Sequence, residues 1–195
     1  MEKHIKESKF MAYYLRHDQA ARALMDEEGY INVAQVMDAA WHHGLSLDFD
    51  KINEIVATDN KGRYKLKCHP VSVTPVGGAI GIMFVRANQG HSTDVDVKLV
   101  EKIPPCELWH GTAAHNVYEI MTNGIKKMDR QHVHLSTKQE VATETGKRHG
   151  KPLTMCLDTL AMHRAGIKFY ESDNGVWLVE HVPSKYIRDL VWIDK

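Results

Sequence analysis

Asp48-Phe49-Asp50-Lys51-Ile52-Asn53-Glu54-Ile55-Val56-Ala57-Thr58 is followed at once by Asp59-Asn60-Lys61-Gly62-Arg63-Tyr64-Lys65-Leu66-Lys67-Cys68. The first run opens with acidic residues where a helix amino terminus favours them and carries Ile52, Ile55 and Val56 at helical spacing. The second reads as a strand from Tyr64 to Cys68. Upstream, Lys9 to Leu15 has the spacing of an amphipathic helix, with Phe10, Tyr13 and Tyr14 on one apolar side, and it delivers Arg16 and His17 near its carboxyl end. Ala34 to Trp41 reads as another helix, closed by Gly44. Downstream, Ile80 to Arg86 forms a second strand, reached through Pro70, Pro75 and Gly77-Gly78, which supply turn geometry. Three short helices followed by a strand pair outline a winged helix, and the hairpin brings Arg63 and Arg86 towards each other.

Pro104-Pro105 is the sharpest punctuation in the chain, because consecutive prolines remove two backbone donors and hold the preceding residue extended. The expected domains are therefore residues 1–100 and 101–195. In the second, Glu107 to His110, His132 to Ser136, Thr154 to Leu157 and Val176 to Val179 read as strands, interrupted by helical Asn116 to Met121 and Gln139 to Arg148. The fold class is α+β. No Gly-x-Gly-x-x-Gly follows a strand and opens a helix, which excludes the dinucleotide fold of dehydrogenases. Met and Trp positions read as core.

Lysine and arginine number 25, aspartate and glutamate 25, so formal charge balances to zero. An RNA-binding protein that relies on bulk electrostatics carries a basic excess, and any RNA contact here must be concentrated locally. Three widely spaced cysteines, Cys68, Cys106 and Cys156, suggest neither a disulfide framework nor a zinc site and fit a reducing compartment. His132 and His134 share a strand face, but nothing nearby completes a zinc set, so no metal is expected. Met1 to Lys9 is polar, and no apolar run is long enough to span a membrane. The expectation is a soluble, monomeric, cytoplasmic protein.

Arg-bearing patches recur in dissimilar parts of the chain: Leu15-Arg16-His17, Asn60 to Tyr64, Arg86 to Ser92, and Arg130 to Ser136. Guanidinium groups match phosphate oxygens two at a time and stay charged, so the patches read as parts of one anion site. With Ser8-Lys9-Phe10, Asp26 to Tyr30, Trp109-His110-Gly111-Thr112, Gly146 to Gly150 and Asn174 to Leu178, they occur in the order that resembles the RNA 2′-phosphotransferase family. Nearly the whole chain is covered. Asp18-Gln19 stands where the family would place a proline nearby, and Met11-Ala12 replaces Leu-Ser; neither change removes a group that the chemistry needs.

The resemblance implies an ADP-ribosyltransferase-like NAD-binding second lobe and a winged-helix RNA-binding first lobe. It also implies NAD as co-substrate in two steps. The RNA 2′-phosphate attacks the anomeric carbon of the nicotinamide ribose and expels nicotinamide, giving an ADP-ribosylated 2′-phosphate. The 2″-hydroxyl of that ribose then attacks phosphorus, releasing 2′-OH RNA and ADP-ribose 1″,2″-cyclic phosphate. By the same resemblance Arg16, His17, Arg63 and Arg130 form the catalytic tetrad, with His17 handling the proton. His110, Gly111 and Thr112 hold the nicotinamide ribose, Gly111 allowing close approach of ligand to backbone. His134, Ser136 and Arg148 are further NAD candidates, and Lys61, Arg86, Gln89 and His91 are RNA candidates. The alternatives are an ADP-ribosyltransferase acting on protein or RNA ends, and a non-catalytic winged-helix nucleic-acid binder. The first is disfavoured by Val176, where an acceptor-activating Glu would stand; the second by a third helix carrying Asp48, Asp50 and Glu54 against Lys51.

Overall fold

Asp48 accepts a hydrogen bond from the Lys51 amide at 2.8 Å and so caps the helix that the acidic turn predicts. In the computed structural model, which describes residues 4–73, 79–92, 95 and 99–193, that helix runs Phe49–Thr58, with Ile52 and Ile55 buried. It belongs to the first of two compact units, residues 1–98 and 99–195.

In chain order the first unit contains α1 (Ile5–His17), α2 (Gln19–Leu24), β1 (Ile31–Asn32), α3 (Val33–His42), α4 (Phe49–Thr58), β2 (Tyr64–Val73) and β3 (Ala79–Ala87). α1 is longer than its apolar spacing suggests. Met11, Tyr14 and Leu15 are buried, and Phe10 stacks on Tyr14, whereas Tyr13 is exposed on the opposite side. α2 escapes a periodicity reading because six residues make fewer than two turns; its signal is Asp18, whose carboxylate accepts from the Ala21 amide and divides it from α1. The strands form an antiparallel sheet in the order β1-β3-β2. Both long strands exceed expectation: β2 continues through Pro70, where the register against β3 shifts. Pro75 and Gly77-Gly78, expected to turn the hairpin, lie outside the described residues. The core gathers Met11 and Leu15 of α1, Ile31 of β1, Val36 of α3, Ile52 of α4, Tyr64 of β2 and Val85 of β3.

The second unit contains β4 (Val100–Glu101), β5 (Glu107–Ala113), α5 (Val117–Asn123), β6 (Ile125–Lys126), β7 (Val133–Leu135), α6 (Gln139–Lys147), β8 (Pro152–Asp158), α7 (Thr159–Arg164), β9 (Phe169–Glu171), β10 (Trp177–Val179), β11 (His181–Val182) and β12 (Ile187–Trp192). Its strands form sheets ordered β4-β9-β10-β7, β11-β6 and β12-β8-β5. Every pairing among the described residues is antiparallel, the opposite of a doubly wound dinucleotide fold. β8 is buried along almost its whole length, as a central strand between β5 and β12 must be.

α6 lies directly on β5. A Cβ on Gly111 would stand 1.7 Å from the Ala142 carbonyl oxygen, and one on Gly146 would stand 2.7 Å from that of Thr112. Gly111 is therefore a glycine because a helix backbone occupies the space, a different reason from the expected approach of a ligand. The core of this unit is Leu108, Leu135, Leu153, Met155, Leu157, Met162, Phe169 and Val179 with their neighbours. Trp41, Trp192 and Met128, expected inside, are 74%, 51% and 79% exposed. Among the described residues no helix is long and apolar enough to cross a membrane.

Candidate functional site

Arg16 and His17 occupy the last turn of α1, where cations suit the helix dipole. What holds them is the segment after β3. The Ser92 amide donates to the Arg16 carbonyl at 3.0 Å, and the Ser92 hydroxyl lies 3.0 Å from His17 Nδ1. The same segment grips the Arg63 turn: the Asn88 amide donates to the Arg63 carbonyl at 2.9 Å, and Asn88 Nδ2 donates to the Gly62 carbonyl at 2.7 Å. Residues 88–92 thus tie together two arginine-bearing segments separated by more than forty positions.

Arg63 itself is oriented by Asp59. Its Nε donates to Asp59 Oδ1 at 2.9 Å, its amide donates to Asp59 Oδ2, and the Asp59 side chain is 1% exposed. The outer guanidinium nitrogen Nη2 reaches Ser8 Oγ on α1, and the Tyr64 hydroxyl donates to the Ser8 carbonyl at 2.8 Å. Arg63 is only partly exposed, so its head is fixed and presented at once. Asp59, Asn88 and Ser92 were not singled out as site residues from sequence. Their contribution depends on contacts four to seventy-six positions away, and the available signal was only their presence inside the Asp59–Tyr64 and Arg86–Ser92 motifs.

The expected RNA contacts divide. Lys61 is exposed in the turn and Gln89 is half-buried, whereas Arg86 and His91 are buried. Arg86 Nη1 donates to the Glu28 carbonyl at 3.2 Å and its guanidinium lies over the Tyr30 ring at 4.9 Å. His91 is 1% exposed, and neither ring nitrogen has a hydrogen-bond partner among the described residues. Burial, then the like charges of Arg16, Arg86, His17 and Arg22, push its pKa down to about 4. His91 is a neutral ring packed among cations and leaves no open surface for a nucleotide.

Arg130 belongs to the second unit, where it precedes β7. Its Nη1 lies 3.0 Å from His134 Nδ1. Since arginine can only donate, that nitrogen accepts and the His134 proton sits on Nε2. His110, on β5, completes the connection: its Nδ1 lies 3.2 Å from the His134 carbonyl oxygen, so the proton is on Nδ1 and Nε2 is the acceptor. Burial lowers the His110 pKa, the hydrogen bond to the His134 carbonyl opposes this, and Arg130 and His149 add to the lowering. His110 is a neutral imidazole of fixed tautomer.

The remaining NAD candidates gather around these groups. Ser136 pairs its backbone with that of Trp109 in an isolated bridge, and its hydroxyl accepts from the Lys138 amide at 3.0 Å. Thr112 is buried, its hydroxyl accepting from Asn116 Nδ2 at 3.2 Å. Arg148 is exposed at the end of α6. Desolvation and then the like charge of Arg148 lower the Arg130 pKa, so the two guanidinium groups lie near enough to influence each other. His132, on the other hand, packs edge-on against Tyr170 and is not part of this set.

Each unit therefore presents guanidinium groups beside imidazoles whose orientations are set by hydrogen bonds. Such groups hold and polarise a phosphoryl group and leave one ring to exchange a proton. The comparisons with known proteins agree. The model of the family described as RNA 2′-phosphotransferase, Tpt1 / KptA family, matches residues 2–181. The chain is 37% identical over 188 residues to a Streptomyces coelicolor protein, covering 96% of each. It is 39% identical over 184 residues to one from Streptomyces griseus, covering 94% of this chain and 95% of that one. A Burkholderia pseudomallei protein is 37% identical over 182 residues, covering 93% and 92%. All three carry the name "Probable RNA 2′-phosphotransferase". With a family model spanning nearly its whole length, this chain belongs to the RNA 2′-phosphotransferase, Tpt1 / KptA, family of transferases.

Proposed function

We propose that the protein transfers an internal RNA 2′-phosphate to NAD, releasing nicotinamide, 2′-OH RNA and ADP-ribose 1″,2″-cyclic phosphate. The first unit acts as a winged-helix RNA-binding lobe and the second as an ADP-ribosyltransferase-like lobe. One observation supports this most: Arg16, His17 and Arg63 are organised by one hydrogen-bonded framework of Asp59, Asn88 and Ser92. A solvated surface cluster has no use for such a framework. It suits a phosphate, whose transfer asks the protein mainly for position and charge.

NAD, as co-substrate, supplies an electrophilic sugar carbon and the hydroxyl that takes over the phosphate. The donor set of the second unit fits it. Arg130 and Arg148 lie within mutual influence beside neutral His110, an arrangement suited to an anionic ligand such as a dinucleotide pyrophosphate. His110 offers an unprotonated Nε2, Thr112 and Ser136 offer hydroxyls, and His134 holds Arg130 in place.

On the RNA side, Arg16 and Arg63 neutralise charge spread over the phosphoryl oxygens; Arg130 is the further member that the family resemblance assigns to this role. His17, with Nδ1 beside Ser92, turns Nε2 to the substrate. It accepts the proton of the attacking 2″-hydroxyl and returns it to the departing RNA 2′-oxygen. Protons and phosphoryl groups then balance without hydrolysis and without a metal ion. Incubating the purified protein with an internally 2′-phosphorylated oligonucleotide, with and without NAD and in EDTA, tests the reading. NAD-dependent nicotinamide release that survives EDTA supports it, and turnover that needs an added divalent ion defeats it.

A further inference from the structure

Met11, Tyr14 and Leu15 anchor one side of α1 to the core of the first unit. Tyr13 belongs to the other side. It is 59% exposed, and it stands one helical turn before His17, the spacing at which side chains on a helix meet. The two rings lie with centroids 6.0 Å apart and planes tilted by 48°. His17 is itself exposed, and its Nδ1 side is held by the Ser92 hydroxyl at 3.0 Å. A single exposed aromatic side chain is ordinary and by itself says nothing. What sets Tyr13 apart is its place. It extends an open aromatic surface from the imidazole that the proposed reaction uses, on a helix whose opposite side is fixed by burial.

From this we infer that Tyr13 is the stacking platform for the base of the nucleotide that carries the 2′-phosphate. The inference rests on the proposed RNA phosphotransfer, in which His17 returns a proton to the RNA 2′-oxygen. That oxygen is bonded to the sugar carbon next to the one that bears the base. The base nearest to a 2′-oxygen held at His17 is therefore that of the reacting nucleotide, and the ring beside His17 is the surface it meets. Tyrosine suits the task, because a large ring on two side-chain torsions loses little freedom when a ligand settles on it. Stacking is also tolerant of sequence, since every base has a π-face, so the platform seats the reacting nucleotide whichever base it carries. Affinity gained in this way needs no cation, which accords with a formal net charge of zero.

The test uses two short single-stranded oligonucleotides with an internal 2′-phosphate, one carrying fluorescent 2-aminopurine as the base of the phosphorylated nucleotide and one lacking that base. In titrations without NAD, the wild-type protein and Tyr13→Phe should quench the 2-aminopurine on binding. Tyr13→Leu should leave it bright and weaken binding about tenfold, within the range for a lost base stack. With NAD added, Tyr13→Leu should lower kcat/KM about tenfold on the base-bearing substrate and leave it unchanged on the abasic one, with the KM for NAD unaltered. A bright 2-aminopurine in the wild-type complex would overturn the platform. Equal losses on the two substrates would also overturn it, because the ring would then act through His17 alone. So would a raised KM for NAD with quenching intact, which would set the ring against the dinucleotide. Wild-type protein that binds and quenches but releases no nicotinamide would instead strike the proposed phosphotransfer and not the platform.

Discussion

At the scale of single residues, His91 shows how a side chain can sit in a motif and still act from inside it. The Arg86–Ser92 motif marks it as a ligand contact, yet the ring is buried against the cations of its own unit. Its pKa of about 4 lies below the ordinary value of 6.5, so the unfolded chain takes up a proton first as pH falls. The stabilisation it supports is complete above pH 6.5 and is lost as pH drops towards 4. Urea denaturation at pH 7 and pH 5 should show the wild type losing about 2 kcal/mol more than His91→Gln over that interval. Equal losses would mean that His91 protonates in place at no cost. Arg63 and Arg130 make a second prediction. If they chiefly stabilise phosphoryl charge, Arg63→Ala or Arg130→Ala should slow the second chemical step by about a hundred- to a thousandfold. RNA carrying ADP-ribose on its 2′-phosphate should then accumulate in single turnover. A stall before nicotinamide release would assign them to substrate binding or to the first step. Arg16, His17, Arg63 and Arg130 are proposed from sequence because each stands in a short, distinctive word. Asp59 and Ser92 are not, because a carboxylate or hydroxyl becomes informative only when the side chain it holds is known.

Elements were legible in proportion to their length and amphipathic contrast. α3, α4, β2 and β3 carry enough periodic residues to declare themselves, whereas α2, β4, β6, β9 and β11 are two to six residues long and depend on tertiary pairing for their existence. Trp41 misled because an aromatic ring suggests burial wherever it falls, although in α3 it lies on the exposed side while Val33, Val36 and Ala40 face the core. The tight seat of α6 on β5 was also invisible in sequence, since a glycine does not say whether a ligand or a helix fills the space beside it. That seat can be tested. Gly111→Ala forces a methyl group into the Ala142 carbonyl, so α6 must lift. The expected cost is about 3 kcal/mol, the upper part of the range for overpacking. It should appear as a melting transition lowered by roughly 10 °C or more for a unit of this size. An unchanged transition would show that α6 is not anchored there.

For the whole molecule, two units with separate cores each carry part of the expected chemistry: the phosphate-handling Arg16, His17 and Arg63 in the first, and Arg130 with the NAD candidates in the second. The α+β class was readable because strands and helices alternate without a parallel-sheet motif, and the family because so many short words occur in one order over residues 2–181. The central claim is that the phosphate leaves RNA for NAD and not for water. Its most direct test labels the internal 2′-phosphate of an oligonucleotide with radioactive phosphorus and follows the label in single turnover. The account predicts label in ADP-ribose 1″,2″-cyclic phosphate, one nicotinamide released for each 2′-hydroxyl formed, and no reaction without NAD. Label recovered as inorganic phosphate, with or without NAD, would contradict it.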